Sequence, residues 1–178
     1  MKIILIGFMG SGKSTVSKQL GLLLKQPVIE MDELVLHKTS AKNMHEVFSK
    51  GGELLLRETE IALAQEYASI EEDMIISTGA GVVLNKITLD YLKAPCDQIF
   101  FLNACFETIA ERLVDDKSRP LFKNIFEAKS LYQFRQPLYL KYADQIINVD
   151  NKSIEDVALE IAKSQICTNS KNQERYGE

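Results

Sequence analysis

Residues 7–15, GFMGSGKST, run on directly from the apolar segment KIILI at 2–6 and lead into a segment of helical period. The stretch matches G-x-x-x-x-G-K-[ST] through Gly7, Gly12, Lys13 and Ser14. Its place between a strand and a helix is the setting in which that spacing has a mechanism. Glycines let the backbone bend until successive amide N–H groups face a common point, and the helix that follows adds the partial positive charge of its N-terminus. A loop of this kind cradles phosphates. Gly10, Ser11, Gly12, Lys13, Ser14 and Thr15 are the expected nucleotide-binding residues, with Lys13 reaching the β/γ-phosphates and the Ser14 hydroxyl offered to Mg2+.

The rest of the chain repeats the alternation that begins there. Short Ile- and Val-rich runs at 2–6, 27–30, 74–78, 98–102 and 145–149 read as strands, and amphipathic segments at 13–25, 53–67, 87–92, 106–114, 125–142 and 154–164 read as helices. Strands alternating with helices specify an α/β fold with a five-stranded parallel sheet. With 178 residues and 46% hydrophobic content the chain predicts one domain, over 1–167. Val16, Leu20, Leu23 and Leu24 share one face of the first helix, and the run 54–56, LLL, reads as core. The segment DDKSRPLFKN at 115–124 has no apolar period and reads as a mobile loop; the polar tail 168–178 reads as a disordered terminus.

A net charge of −4 lacks the basic excess that nucleic-acid binding requires, and no apolar run approaches a membrane span. The partners expected are therefore small molecules, without nucleic acid or membrane. Three separated cysteines, Cys96, Cys105 and Cys167, read as reduced, buried thiols and a cytoplasmic setting. Among phosphate-loop proteins a GTPase is disfavoured, because the nearest approach to a base-reading Asn-Lys-x-Asp is NKIT at 85–88. An ATP-driven motor is disfavoured as well, since the strand MIIST leads into GAGVV instead of an acidic pair.

Several segments, in order over about residues 1–150, resemble the shikimate kinase family: LIGFMGSGKSTVSKQLG with its Phe-Met inside the loop, FSKGGELLLRETE at 48–60, ISTGAGVV at 76–83, SRPLF at 118–122 and FRQPLYLKYAD at 134–144. The resemblance implies a three-layer α/β/α P-loop kinase fold with a small helical substrate-binding region at about 31–60 and a lid at about 112–124. It further implies a monomer that transfers the ATP γ-phosphoryl group to the 3-hydroxyl of shikimate, with Mg2+. On the same basis Arg57 and Arg135 surround the substrate carboxylate, for which planar guanidinium forks are suited. Asp32 accepts hydrogen bonds from ring hydroxyls and holds the attacking one. Gly79, Ala80 and Gly81 line the opposite side. Lys13 and Arg119 stabilise charge on the transferring group, and Arg112 stacks on adenine. A carboxylate with an ordinary pKa near about 3.9 is a weak base at neutral pH, so Asp32 reads as an orienting group and late proton acceptor.

Two departures from the family pattern flank this site. Glu30, which through a water would hold Mg2+, stands where an Asp is usual, and Ala80 stands where a glycine is usual. A Cβ at 80 demands a backbone outside the positive-φ region. A kinase of another small acceptor, such as gluconate or a nucleoside monophosphate, and a nucleotide-binding regulatory module without turnover are the competing readings.

Overall fold

The computed structural model describes residues 1–113 and 125–175, with side chains described as far as Gln165. Strand β1 (Lys2–Ile6) leads through the glycine loop into α1 (Lys13–Leu24), β2 (Val28–Glu30), α2 (Met31–Lys38), α3 (Met44–Ala68) and β3 (Met74–Ser77). A 3-10 turn (Val82–Leu84) and α4 (Lys86–Leu92) precede β4 (Gln98–Asn103), α5 (Phe106–Leu113), α6 (Ile125–Tyr142), β5 (Gln145–Asn148) and α7 (Ile154–Arg175). The strands form one parallel sheet in the order β2-β3-β1-β4-β5.

Strand β1 sits at the centre, and Ile3, Ile4, Leu5 and Ile6 are all fully buried. Alternate side chains of a strand point to opposite faces, so helices must cover both sides of the sheet. Helices α1 and α7 pack against each other, and α3 packs on α4. The connection leaving β1 runs toward β2, whereas the one leaving β3 crosses to β4 in the opposite direction. Their loops part at the carboxyl ends of neighbouring strands, which opens the crevice where open α/β sheets take ligands.

All five expected strands are present, with ends shifted by no more than a residue. The helices show more differences. Helix α2 falls in the helical region that the family resemblance implies at about 31–60, but the periodicity reading places no helix there; it is one short element directly abutting β2, without a periodic stretch of its own. Helix α3 begins at Met44, well before residue 53, and its path breaks at Gly52 (φ 65, ψ −158), so the Gly-Gly pair marks a kink between two helical segments. Leu54, just past that kink, is exposed and only Leu56 of the leucine run is buried. The backbone of α7 stays helical to Arg175, through most of the segment read as a disordered tail. Cys96 is exposed and Cys105 half-buried, so these two are not the buried thiols expected.

On α1 the buried stripe is Lys13, Val16, Ser17, Leu20 and Gly21; Leu23 faces outward. Gly21 explains the rotation. A Cβ there would lie 2.4 Å from Val28 Cγ2 and 3.1 Å from the Gln26 carbonyl oxygen, so only a glycine lets α1 settle this close to β2. Gly21→Ala is predicted to destabilise the fold by about 1–3 kcal/mol through overpacking, read as a lower urea midpoint at unchanged m-value. An unchanged midpoint would mean that α1 shifts away from β2 at no cost.

Candidate active site

The loop after β1 uses its glycines for conformation as well as space. Gly10 and Gly12 adopt φ of 77° and 96°, a region costly for residues with a Cβ, and Gly12 caps α1. The Lys13 side chain, only 8% exposed, turns back over this loop and donates from Nζ to the carbonyl oxygens of Gly7 (2.8 Å) and Phe8 (3.1 Å). Arg112 of α5 donates to the Gly10 carbonyl at 3.1 Å, which brings α5 to the same loop. Beside them, Ser14 Oγ donates to Glu30 Oε2 at 2.9 Å. The loop forms one wall of a cleft of about 380 Å³, closed on the far side by Val149, Lys152, Ser153 and Ile154 at the β5–α7 turn.

A second cleft, of about 370 Å³, lies between α2, α3, α6 and the loop after β3, and it is lined by Arg57, Glu60, Gly79, Gly81 and Arg135. Met9, Asp32 and Ala80 line both clefts, so the two share a wall. Asp32 occupies the first turn of α2, and Glu30 holds the cap position; Asp32 is therefore not the helix cap.

Two glycines make room for charge in this second cleft. A Cβ on Gly79 would meet Asp32 Oδ1 at 2.8 Å and Glu60 Oε1 at 2.9 Å, and one on Gly81 would meet Arg57 Nη2 at 2.1 Å. The carboxylates of Asp32 and Glu60 thus lie over Gly79, and the Arg57 guanidinium lies over Gly81. Arg57 donates to Glu60 Oε2 at 2.7 Å and, from Nη2, to Glu53 Oε1 at 2.9 Å. Glu53 is well exposed, and that pair is the weaker of the two. Glu60 is 2% exposed; burial pushes its carboxyl upward, Arg57 pulls it back only in part, and Asp32 adds to the rise. Burial alone would lower Arg57, yet Glu60 and Glu53 together hold it above its ordinary value.

Ala80 does not have a positive φ, so its Cβ carries no backbone strain. Its carbonyl accepts a 2.5 Å hydrogen bond from Tyr139 and a longer one, 3.4 Å, from Arg135 Nη1, fastening the loop after β3 to α6. Arg135 is 8% exposed, lies 6.0 Å from the centre of the Phe8 ring, and keeps a buried Nε without a hydrogen-bond partner. Phe8 in turn meets Tyr132 of α6 edge-on at 5.4 Å. The aromatic residue inside the phosphate loop therefore anchors the helix that supplies Arg135.

The sequence of this chain matches the shikimate kinase family model over residues 9–165. The chain belongs to the shikimate kinase family. A shikimate kinase of Dictyoglomus turgidum is 33% identical over 160 residues, covering 88% of this chain and 92% of that protein. One from Aquifex aeolicus is 37% identical over 142 residues, 79% of this chain and 83% of the other. The structure of shikimate kinase from Acinetobacter baumannii in complex with shikimate superposes with a TM-score of 0.84 at 29% identity, covering 94% of this chain and 93% of that one.

In this shikimate kinase, the loop residues 10–15, Arg112, Asp32, Arg57, Gly79, Ala80, Gly81 and Arg135 all line one or other of the two adjoining clefts. Arg119 and residues 114–124 of the expected lid lie outside the described residues. Sequence reasoning missed the β5–α7 turn, Tyr139 as the anchor of Ala80, and the Phe8 contact. The polar NVDNKS run at 148–153 was the available signal for the turn. No helix among the described residues is long and apolar enough to cross a membrane.

Tyr139 gives a pH-dependent test of the anchor. Burial raises its pKa above the ordinary 10. A protonated phenol therefore favours the folded state, fully below about pH 10 and progressively less as pH climbs through its native value. Tyr139→Phe is predicted to cost about 1 kcal/mol at neutral pH, with the difference from wild type shrinking above pH 10 in equilibrium denaturation. A difference constant up to pH 11 would remove the hydroxyl from the account.

Proposed function

We propose that this shikimate kinase holds ATP in the cleft around residues 10–15 and shikimate in the cleft around Arg57 and Arg135, and that phosphoryl transfer takes place where the two clefts meet. The observation that carries this reading is their shared wall of Met9, Asp32 and Ala80. A loose phosphoryl-transfer transition state asks mainly for alignment and charge neutralisation. Asp32 then accepts from the attacking 3-hydroxyl and holds it toward the γ-phosphate, taking its proton late. Arg57 and Arg135 receive the carboxylate. For Arg135 this supplies an acceptor to a buried Nε that otherwise has none, and for Arg57 it replaces the exposed Glu53 while Glu60 stays. Gly79 and Gly81 leave the room these groups need, and Ala80, its carbonyl held from behind, completes that wall.

On the donor side the bent loop offers amide N–H groups to the phosphates, and Lys13 exchanges loop carbonyls for phosphate oxygens. Arg112 and Val149, Lys152, Ser153 and Ile154 line the same cleft, and adenine would lie between them. Arg119 receives its charge-stabilising role from the sequence resemblance alone. For Mg2+ the donor set fits: the Ser14 hydroxyl is a hard oxygen ligand, and the Glu30 carboxylate, 2.9 Å from it, would hold a water of the ion's shell. Held by these residues, the ion would supply positive charge against the nucleotide phosphates. The reading keeps a monomeric, cytoplasmic enzyme as the family resemblance and the cysteine usage suggest it.

The test is ADP release with shikimate, gluconate and AMP supplied side by side. Turnover is expected with shikimate alone. Arg135→Ala is predicted to lower kcat/KM for shikimate by about two orders of magnitude, the scale of a lost buried charge pair, with ADP affinity intact. Comparable turnover on gluconate or AMP, or an unaffected Arg135→Ala enzyme, would contradict the reading.

A further inference from the structure

Glu30 ends β2 and caps α2 in position only: its backbone is extended (φ −96, ψ 102) and its side chain makes no cap hydrogen bond. The carboxylate turns instead to α1. Oε2 accepts from Ser14 Oγ at 2.9 Å and Oε1 accepts from Ser17 Oγ at 2.7 Å. Ser14 and Ser17 are three residues apart and hence on one helical face, but their surroundings differ: Ser14 is exposed, whereas Ser17 is fully buried.

A hydroxyl has a single proton to give. Ser17 Oγ also lies 3.0 Å from the Ser14 carbonyl, but the charged oxygen of Glu30 is closer and the stronger acceptor, so the proton goes there. A glutamate has several rotatable bonds between backbone and carboxylate, and holding it in one arrangement costs rotamer entropy that a single contact to an exposed serine offsets poorly. Ser17 supplies the second, buried contact. The carboxylate so fixed takes the Ser14 proton, and the lone pairs of Ser14 Oγ are left for a cation. An aspartate at position 30, one carbon shorter, would not span both hydroxyls from the same backbone.

We infer that Ser17 is a positioning residue of the donor site: it holds the Glu30 carboxylate, and through it sets the Ser14 hydroxyl toward the cation that accompanies the nucleotide. The inference rests on the ATP–Mg2+ reading of that cleft. It also gives the glutamate at position 30 a partner of its own on α1.

The experiment is calorimetric binding of ADP across a Mg2+ series and in EDTA, with wild type, Ser17→Ala, Ser17→Cys, Glu30→Asp and the Ser17→Ala/Glu30→Asp double variant. Ser17→Ala is expected to raise the Mg2+ concentration for half-maximal tightening of ADP binding by about 3- to 10-fold, the scale of one charge-assisted hydrogen bond, with ADP affinity in EDTA unchanged. Ser17→Cys, which keeps the volume and lacks a strong donor, is expected to match Ser17→Ala. The double variant is expected to be no worse than Glu30→Asp alone, because the shorter side chain has already lost Ser17. Wild-type Mg2+ dependence in Ser17→Ala or Ser17→Cys, or effects that multiply in the double variant, would overturn the inference. ADP affinity indifferent to Mg2+ in the wild type would overturn the donor-site reading along with it, which distinguishes the two failures.

Discussion

Burial of β1 on both faces, between β3 and β4, is the constraint from which the site follows. A strand with Ile3, Ile4, Leu5 and Ile6 wholly enclosed has no freedom to slide, because a shift of one residue would exchange every side chain between the two faces. The chain must therefore leave the sheet at Gly7, beside the end of β3 at Ser77, and in parallel register with it. Thr78 confirms how tightly these ends are joined: its backbone amide and its hydroxyl both donate to the Leu5 carbonyl. The phosphate loop and the loop carrying Gly79, Ala80 and Gly81 are held together for that reason, with no contact between substrates required.

Around this fixed pair of loops the remaining groups are placed by small residues and buried hydrogen bonds. Gly21 lets α1 close on β2, which brings Ser14 and Ser17 to Glu30. Gly79 and Gly81 leave space where Asp32, Glu60 and Arg57 gather. The Ala80 carbonyl receives Tyr139, and the Phe8 ring lies beneath Arg135, so α6 is tied both to the loop after β3 and to the phosphate loop. Charges of both signs can accumulate here because each is balanced locally: Arg57 by Glu60 and Glu53, and Glu30 by two hydroxyls. Movement of α6 would therefore reach Arg135 and Phe8 together.

Much of this was legible in the residues. The five strands and the phosphate loop carry strong local signals, a run of enclosed apolar residues and a glycine pattern with one mechanism. Arg57, Asp32 and Arg135 could be named because motifs place them in sequence; their convergence on one cleft could not, since it depends on α2, α3 and α6 meeting around the loop after β3. Helix α2 was implied by the family resemblance and not by periodicity, because eight residues pressed against a strand show no period of their own. The Gly-Gly pair before Glu53 looked like a helix start and proved to be a kink inside α3, a distinction that lies in the φ of Gly52. Glu30 looked like a departure from an aspartate pattern. Its partner Ser17 lies thirteen positions away on another element, so only the folded arrangement joins them.

In the proposed mechanism Asp32 on the shared wall aligns the acceptor hydroxyl while the two clefts do the binding. Single-turnover phosphoryl transfer by Asp32→Asn, measured beside equilibrium ADP and shikimate binding, tests it most directly. A rate lower by about 10²- to 10⁴-fold is expected, with both affinities within a few-fold of wild type. A near-normal rate, or a loss explained by weakened ADP binding, would contradict it.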